Sequence, residues 1–159
     1  MKLVPLDSLQ GIGGVLCHGC FDGLHFGHLS LFKAAAKMGY LTVTLTAGAF
    51  LTHRQPGQPV FSDDERAEFI AELECVRKVA MVYDATALPA IGIIQPAIYV
   101  KAVEIRRDGD ETLNMEMSLV RSCGGRTEFI PKLPPYYSSS TLLSGAFLWA
   151  KEERARKLA

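Results

Sequence analysis

Short strand-like runs alternate with helix-like runs along nearly the whole chain, and this alternation constrains the fold more than any other feature. Residues 13–19 (GGVLCHG) read as a buried strand, and 40–47 (YLTVTLTA) as a β-branched strand with alternating residues. Between them, Leu29, Phe32 and Ala36 recur at helical spacing and Gly39 follows as a stop, which predicts a helix over 26–38. Residues 48–61 contain two prolines and two glycines and read as a long loop. Ser62 followed by Glu65 forms a capping box, which opens a helix running to about residue 74. Strands are then expected at 78–83, 97–101 and 126–130. Helices are expected at 86–94, ending before Gln95-Pro96, and at 110–122, ending at Gly124-Gly125. A last helix is expected from Ser138 onward, with the charged tail 151–157 as its solvated end. Alternating strands and helices build an α/β fold, a parallel five-stranded sheet with helices on both faces.

Length and charge narrow the class further. A chain of 159 residues suits one domain over 1–159 and is too short for two ordinary ones. Hydrophobic residues make up 48% and charged residues 21%, a globular composition that excludes disorder as the dominant state. Lys plus Arg and Asp plus Glu both number 17. A balanced charge gives no global pull toward nucleic acid or an anionic membrane, so any anion site must be a local constellation. The N-terminal Met1-Lys2-Leu3-Val4-Pro5 lacks a long apolar core, which predicts no secretory signal. No uncharged apolar stretch reaches roughly 18 residues, which predicts no membrane span. Cys17, Cys20, Cys75 and Cys123 lie in apolar segments, as reduced cytoplasmic thiols do.

In parallel α/β sheets, ligands sit beyond the carboxyl ends of the strands. The loop after the first strand reads Gly19-Cys20-Phe21-Asp22-Gly23-Leu24-His25-Phe26-Gly27-His28. Two histidines three apart at a helix start share a face. The free N–H groups and dipole of that helix end favour an anion, and Gly27 removes a side chain between the two imidazoles. Such a loop suits a polyphosphate, because transfer at phosphorus needs mainly positioning and charge stabilisation. Cys17-His18-Gly19-Cys20 is a weaker candidate for metal or redox chemistry. Residues three apart on a strand point to opposite faces, and no second ligand pair stands at zinc spacing. Gly11-Ile12-Gly13-Gly14 precedes its strand, so it is not a dinucleotide fingerprint.

The segment GCFDGLHFGH resembles the signature of the cytidylyltransferase-like nucleotidyltransferases, whose hallmark is H-x-G-H after the first strand. The order of motifs along the chain is similar to that of the sugar-phosphate adenylyltransferases of the glycero-manno-heptose-phosphate type, and next to that of the glycerol-3-phosphate cytidylyltransferases. The resemblance implies a Rossmann-like fold. It also implies transfer of AMP or CMP from ATP or CTP to a small phosphorylated acceptor, with release of pyrophosphate and with Mg²⁺ as the companion ion. His25 and His28 would bind the triphosphate and stabilise developing charge, with Lys101 as a further catalytic group. Gly19, Phe21, Asp22, Gly27, Arg54, Arg66, Ser139, Ser140 and Thr141 would line the nucleotide, and Asp22, Lys101 and Glu104 the acceptor. Partners would be the nucleotide, the acceptor and a second copy of the chain, with no nucleic acid and no membrane. No residue is expected to form a dedicated metal cage, because phosphates and water would hold the ion.

Two departures stand out. Ala102 follows Lys101 where the family has glycine, and Leu133-Pro134-Pro135-Tyr136-Tyr137 lacks the arginine of the glycerol-phosphate enzymes. Arg54 also fits a solvated loop position, and the serine run also fits a helix cap. Two alternatives therefore stay open: a cytidylyltransferase of the glycerol-phosphate type, and a nucleotide-binding module without catalysis.

Overall fold

The computed structural model describes residues 1–51, 59–103 and 110–131. Five strands, β1 (Val15–Gly19), β2 (Leu41–Thr46), β3 (Lys78–Val82), β4 (Ile98–Ala102) and β5 (Arg126–Ile130), form one parallel sheet in the order β3-β2-β1-β4-β5. Four helices connect them: α1 (Phe26–Ala36), α2 (Asp63–Ala71), α3 (Leu88–Ile94) and α4 (Glu111–Ser122). The sheet is the Rossmann-like one that the sequence predicts, and the order in which strands are added reverses at β1, with β2 and β3 on one side and β4 and β5 on the other. Among the described residues no helix is long and apolar enough to cross a membrane.

Each face of the sheet has its own core. Val15, Cys17, Val43, Leu45 and Val100 pack with Phe32 and Ala35 of α1 and Ala67 and Ile70 of α2. Leu16, Ala80, Val82 and Tyr99 pack on the other face with Ala90, Ile91 and Ile94 of α3 and Val120 of α4. Leu9, from a short 3-10 turn over Leu6–Leu9, joins that second core. This turn is too brief to leave a periodic signal, and the sequence reading does not contain it.

Element ends differ from expectation for local reasons. β1 begins at Val15, because Gly13 and Gly14 turn with φ of +66° and +73°. A Cβ on Gly14 would lie 2.7 Å from the Tyr40 carbonyl oxygen, so the chain passes there only as glycine. α1 stops at Ala36, two residues early, and α2 at Ala71, three residues early. α3 starts at Leu88, because Thr86 donates its N–H and hydroxyl to the Asp84 carboxylate in a turn of its own. Within the expected loop 48–61, Gly48–Phe50 forms a 3-10 turn. The expected helix from Ser138 lies outside the described residues. The capping box of α2 is present: Glu65 N–H donates to Ser62 Oγ, and Ser62 N–H donates to the Glu65 carboxylate.

The second core is not purely apolar. β2 reads as an alternating strand, yet all six of its residues are buried. Its threonines lie on the face of the second core, and two of them, Thr44 and Thr46, serve as partners for His18 of β1. His18 Nδ1 lies 3.0 Å from Thr44 Oγ1, and Nε2 lies 3.1 Å from Thr46 Oγ1. Burial first, and the Lys101 charge second, lower the His18 pKa to about 4. The native chain therefore holds this imidazole neutral. As pH falls from the unfolded value of 6.5 toward about 4, the unfolded state binds a proton that the native state refuses, so stability falls. The loss attributable to His18 is on the order of 3 kcal/mol. Urea denaturation of wild type and His18→Gln between neutral and acid pH tests this. The variant, whose amide can still bond the threonines, is expected to lose that part of the slope.

Candidate active site

Strands β1 and β2 stay paired as far as Gly19↔Leu45, whereas the β1–β4 ladder ends at Cys17↔Val100. Beyond that pair β1 and β4 are no longer paired, at the switch point of the sheet, where α/β folds take their ligands in the crevice between the separating strands. The loop from Cys20 to His25 rises from this crevice into α1.

Residues on that loop are packed against one another. Phe21 adopts φ +50°, a left-handed conformation rare for an aromatic residue. This turn folds its ring back over Gly19, where an added Cβ would lie 3.0 Å from the ring. The ring is nearly buried and meets Phe32 of the core edge-on at 5.0 Å and His28 at 5.2 Å. Gly19 thus contributes space for Phe21, and Phe21 supports one histidine from below. His25 is the N-cap of α1, and its Nδ1 accepts the His28 N–H at 3.4 Å. The two imidazoles stack with centroids 3.7 Å apart and planes 21° from parallel. The shared face expected from their spacing is therefore present, with His25 just outside the helix.

Asp22 and Arg66 are placed as framework. The Asp22 carboxylate is nearly buried and accepts the N–H groups of Val60 at 3.0 Å and Phe61 at 3.1 Å. It thereby closes the loop that leads into α2 onto the loop that leads into α1. Arg66 has a fully buried side chain. Its guanidinium donates to the Cys20 carbonyl, to the Thr46 carbonyl at 3.0 Å and to Asp63 at 2.6 Å. Asp63 in turn accepts the Gly48 N–H at 2.8 Å. One side chain thus holds the ends of β1 and β2 and the start of α2.

Lys101 lies at the end of β4 on the α3/α4 face. It pairs with Glu116 of α4 at 3.1 Å, and its ammonium stands 5.0 Å from the centre of the Tyr99 ring. Sequence reasoning missed Glu116, which reads as an ordinary mid-helix acid. Its only signal is its spacing from Leu113 and Val120 on the inward stripe of α4. Gly27 follows His25 and Phe26 in the first turn of α1. Arg54, Glu104, Ser139, Ser140 and Thr141 lie outside the described residues. Cys17 is buried within β1, whereas Cys20 is exposed and lies just past the end of that strand, and both are free thiols. Burial pushes the Cys17 thiol up to about 12, which leaves it without thiolate character.

The model of the cytidylyltransferase-like family matches residues 16–144, from β1 to beyond the serine run. The chain belongs to the cytidylyltransferase-like family of nucleotidyltransferases. Among curated relatives, the bifunctional protein HldE of Trichlorobacter lovleyi is 32% identical over 132 residues. The bifunctional protein HldE of Syntrophotalea carbinolica is 36% identical over 132 residues. The matches cover 82% and 80% of this chain but only 26% of either relative, so this cytidylyltransferase-like chain spans about a quarter of their length. Among solved structures, a lipopolysaccharide core biosynthesis protein from Thermoplasma volcanium superposes with a TM-score of 0.59 at 23% identity, covering 79% of this chain and 98% of that one. A pantothenate synthetase from Thermus thermophilus superposes with a TM-score of 0.55 at 15% identity, covering 89% of this chain and 69% of that one. These structures share the fold of the cytidylyltransferase-like chain.

Replacing Arg66 by Met would leave the Cys20 and Thr46 carbonyls without their donor in a buried setting. The expected cost is about 2–4 kcal/mol, read as a lower urea midpoint. Arg66→Lys is expected to recover little, because one ammonium cannot reproduce the planar fork that reaches two strands and Asp63 together.

Proposed function

We propose that the chain transfers AMP, or alternatively CMP, from a nucleoside triphosphate to a small sugar- or polyol-phosphate and releases pyrophosphate. The observation that carries the reading is the stacked His25–His28 pair at the amino end of α1, beside the crevice between β1 and β4. The glycero-manno-heptose-phosphate resemblance favours AMP, and the likeness to the HldE relatives supports nucleotidyl transfer to a sugar phosphate.

The chemistry is a direct in-line displacement. A phosphate oxygen of the acceptor attacks the α-phosphorus and forms a new P–O bond. The bond from that phosphorus to the bridging oxygen of the β-phosphate breaks, and pyrophosphate leaves with the electron pair. An acceptor phosphate is already an anionic nucleophile, so no covalent enzyme intermediate is required. His25 and His28 would donate to oxygens on which charge develops, reinforced by the N–H groups of the helix end. Lys101 would supply a fixed positive charge from the other side of the crevice. Gly19, Phe21 and Asp22 would set the height and angle of the histidine loop. Arg54, Ser139, Ser140 and Thr141 keep the nucleotide-binding roles that the resemblance implies, and Glu104 the acceptor role.

Mg²⁺ would arrive with the triphosphate and neutralise part of its charge. Among the described residues no three His, Cys, Asp or Glu side chains gather to hold a metal, and the Asp22 oxygens are committed to backbone N–H groups. Phosphate oxygens and water are the ligands proposed for the ion. A cytoplasmic homodimer formed by one domain over 1–159 completes the proposal.

The test pairs ATP or CTP with a panel of sugar and polyol phosphates in the presence of Mg²⁺ and measures pyrophosphate. Wild type is expected to release it with one nucleotide and one class of acceptor. His28→Ala is expected to lower turnover at least about 100-fold with little change in melting temperature. No release from any pair, while nucleotide still raises the melting temperature, would leave the binding-module reading, for which Ala102 is the supporting feature.

A further inference from the structure

We propose that Glu116 is the positioning residue that aims Lys101 at the crevice. The inference rests on the reading above, in which Lys101 meets phosphate. Glu116 stands on the inward stripe of α4 between Leu113 and Val120, where helical patterning calls for a hydrophobic side chain. It is 3% exposed. Its carboxylate gathers donors from three places: the Ala87 N–H ahead of α3 at 2.9 Å, the Tyr99 hydroxyl at 2.9 Å and the Lys101 ammonium at 3.1 Å. A buried ion pair of this kind is a poor source of stability, since an apolar side chain of similar volume commonly does as well. What it supplies is placement.

Lysine is otherwise a flexible stem with a compact charge. Here the stem begins at the end of β4, where β4 leaves β1, and the charge is held between the Glu116 carboxylate and the Tyr99 ring. Tyr99 and Lys101 are two apart on β4 and share a face, so one carboxylate fixes both. Among the described residues Glu116 is the carboxylate paired with Lys101. An ammonium carries three N–H donors, and the pair with Glu116 uses one. Glu116 thus touches no substrate itself and acts through the lysine.

A double-mutant cycle in the full chain tests this, with pyrophosphate release as the readout. Glu116→Gln is expected to lower kcat on the order of 10- to 100-fold, with a smaller change in the nucleotide KM. In the Lys101→Met background the same Glu116→Gln change is expected to have no further effect, because the group it positions is gone. Glu116→Asp, which keeps the charge, is expected to retain more activity than Glu116→Gln, and it takes the place of Glu116→Gln in the cycle if that variant does not fold. An undiminished effect of Glu116→Gln in the Lys101→Met background would show a general structural role and overturn the proposal. An unchanged kcat in Glu116→Gln alone would overturn it as well. If wild type releases no pyrophosphate, the transfer reading fails separately, and the cycle is read in ATP affinity by calorimetry. Weaker ATP binding by Glu116→Gln that vanishes in the Lys101→Met background then supports the positioning role, and equal affinities overturn it. A wild-type chain with neither release nor ATP affinity overturns both.

Discussion

The buried guanidinium of Arg66 is the interaction on which the geometry of the crevice depends. Strands β1 and β2 end with carbonyls that have no further ladder to join, and α2 begins with an aspartate that needs a cation. One planar fork answers all three needs, reaching Cys20, Thr46 and Asp63 together. Asp22 then adds a second tie from the same loop to Val60 and Phe61. The histidine loop is consequently tied at Cys20 and Asp22 before any ligand arrives, and such preorganisation is what charge-stabilising catalysis requires.

The two faces of the sheet do different work. The α1/α2 face is a conventional apolar core, and it carries the histidine loop. On the α3/α4 face a buried polar layer runs from Thr44 and Thr46 through His18 to Lys101, Tyr99 and Glu116. A neutral histidine beside a paired lysine keeps that layer from accumulating positive charge. In the proposed reaction the crevice between β1 and β4 would receive a histidine pair from one face and an ammonium from the other.

What was legible in the sequence was local. The alternation of strands and helices, the capping box at Ser62 and Glu65, and the histidine spacing each occupy a few neighbouring residues, and all are present. Helix ends were less legible, because apolar residues continue into the turns that follow. Val76 is buried and Leu73 packs on the core although both lie beyond α2, so hydrophobic spacing alone runs past the true end. The alternation in β2 was read correctly as a strand, but Thr44 and Thr46 face a partner histidine and not water. Arg66 and Asp22 were singled out as residue types. Their partners include backbone groups some forty positions away, which no local pattern encodes. Glu116 was invisible for the same reason, since its burial is decided by β4.

The Phe21 ring joins two regions that are usually separate. Its one edge rests on Phe32 in the core and another meets His28 in the crevice. Core packing and histidine placement therefore share a component, and neither can be altered alone. A redesign that tightened the interior around Phe32 for heat resistance would also tilt an imidazole. In this protein the usual freedom to improve a hydrophobic core without touching chemistry ends at the first turn of α1.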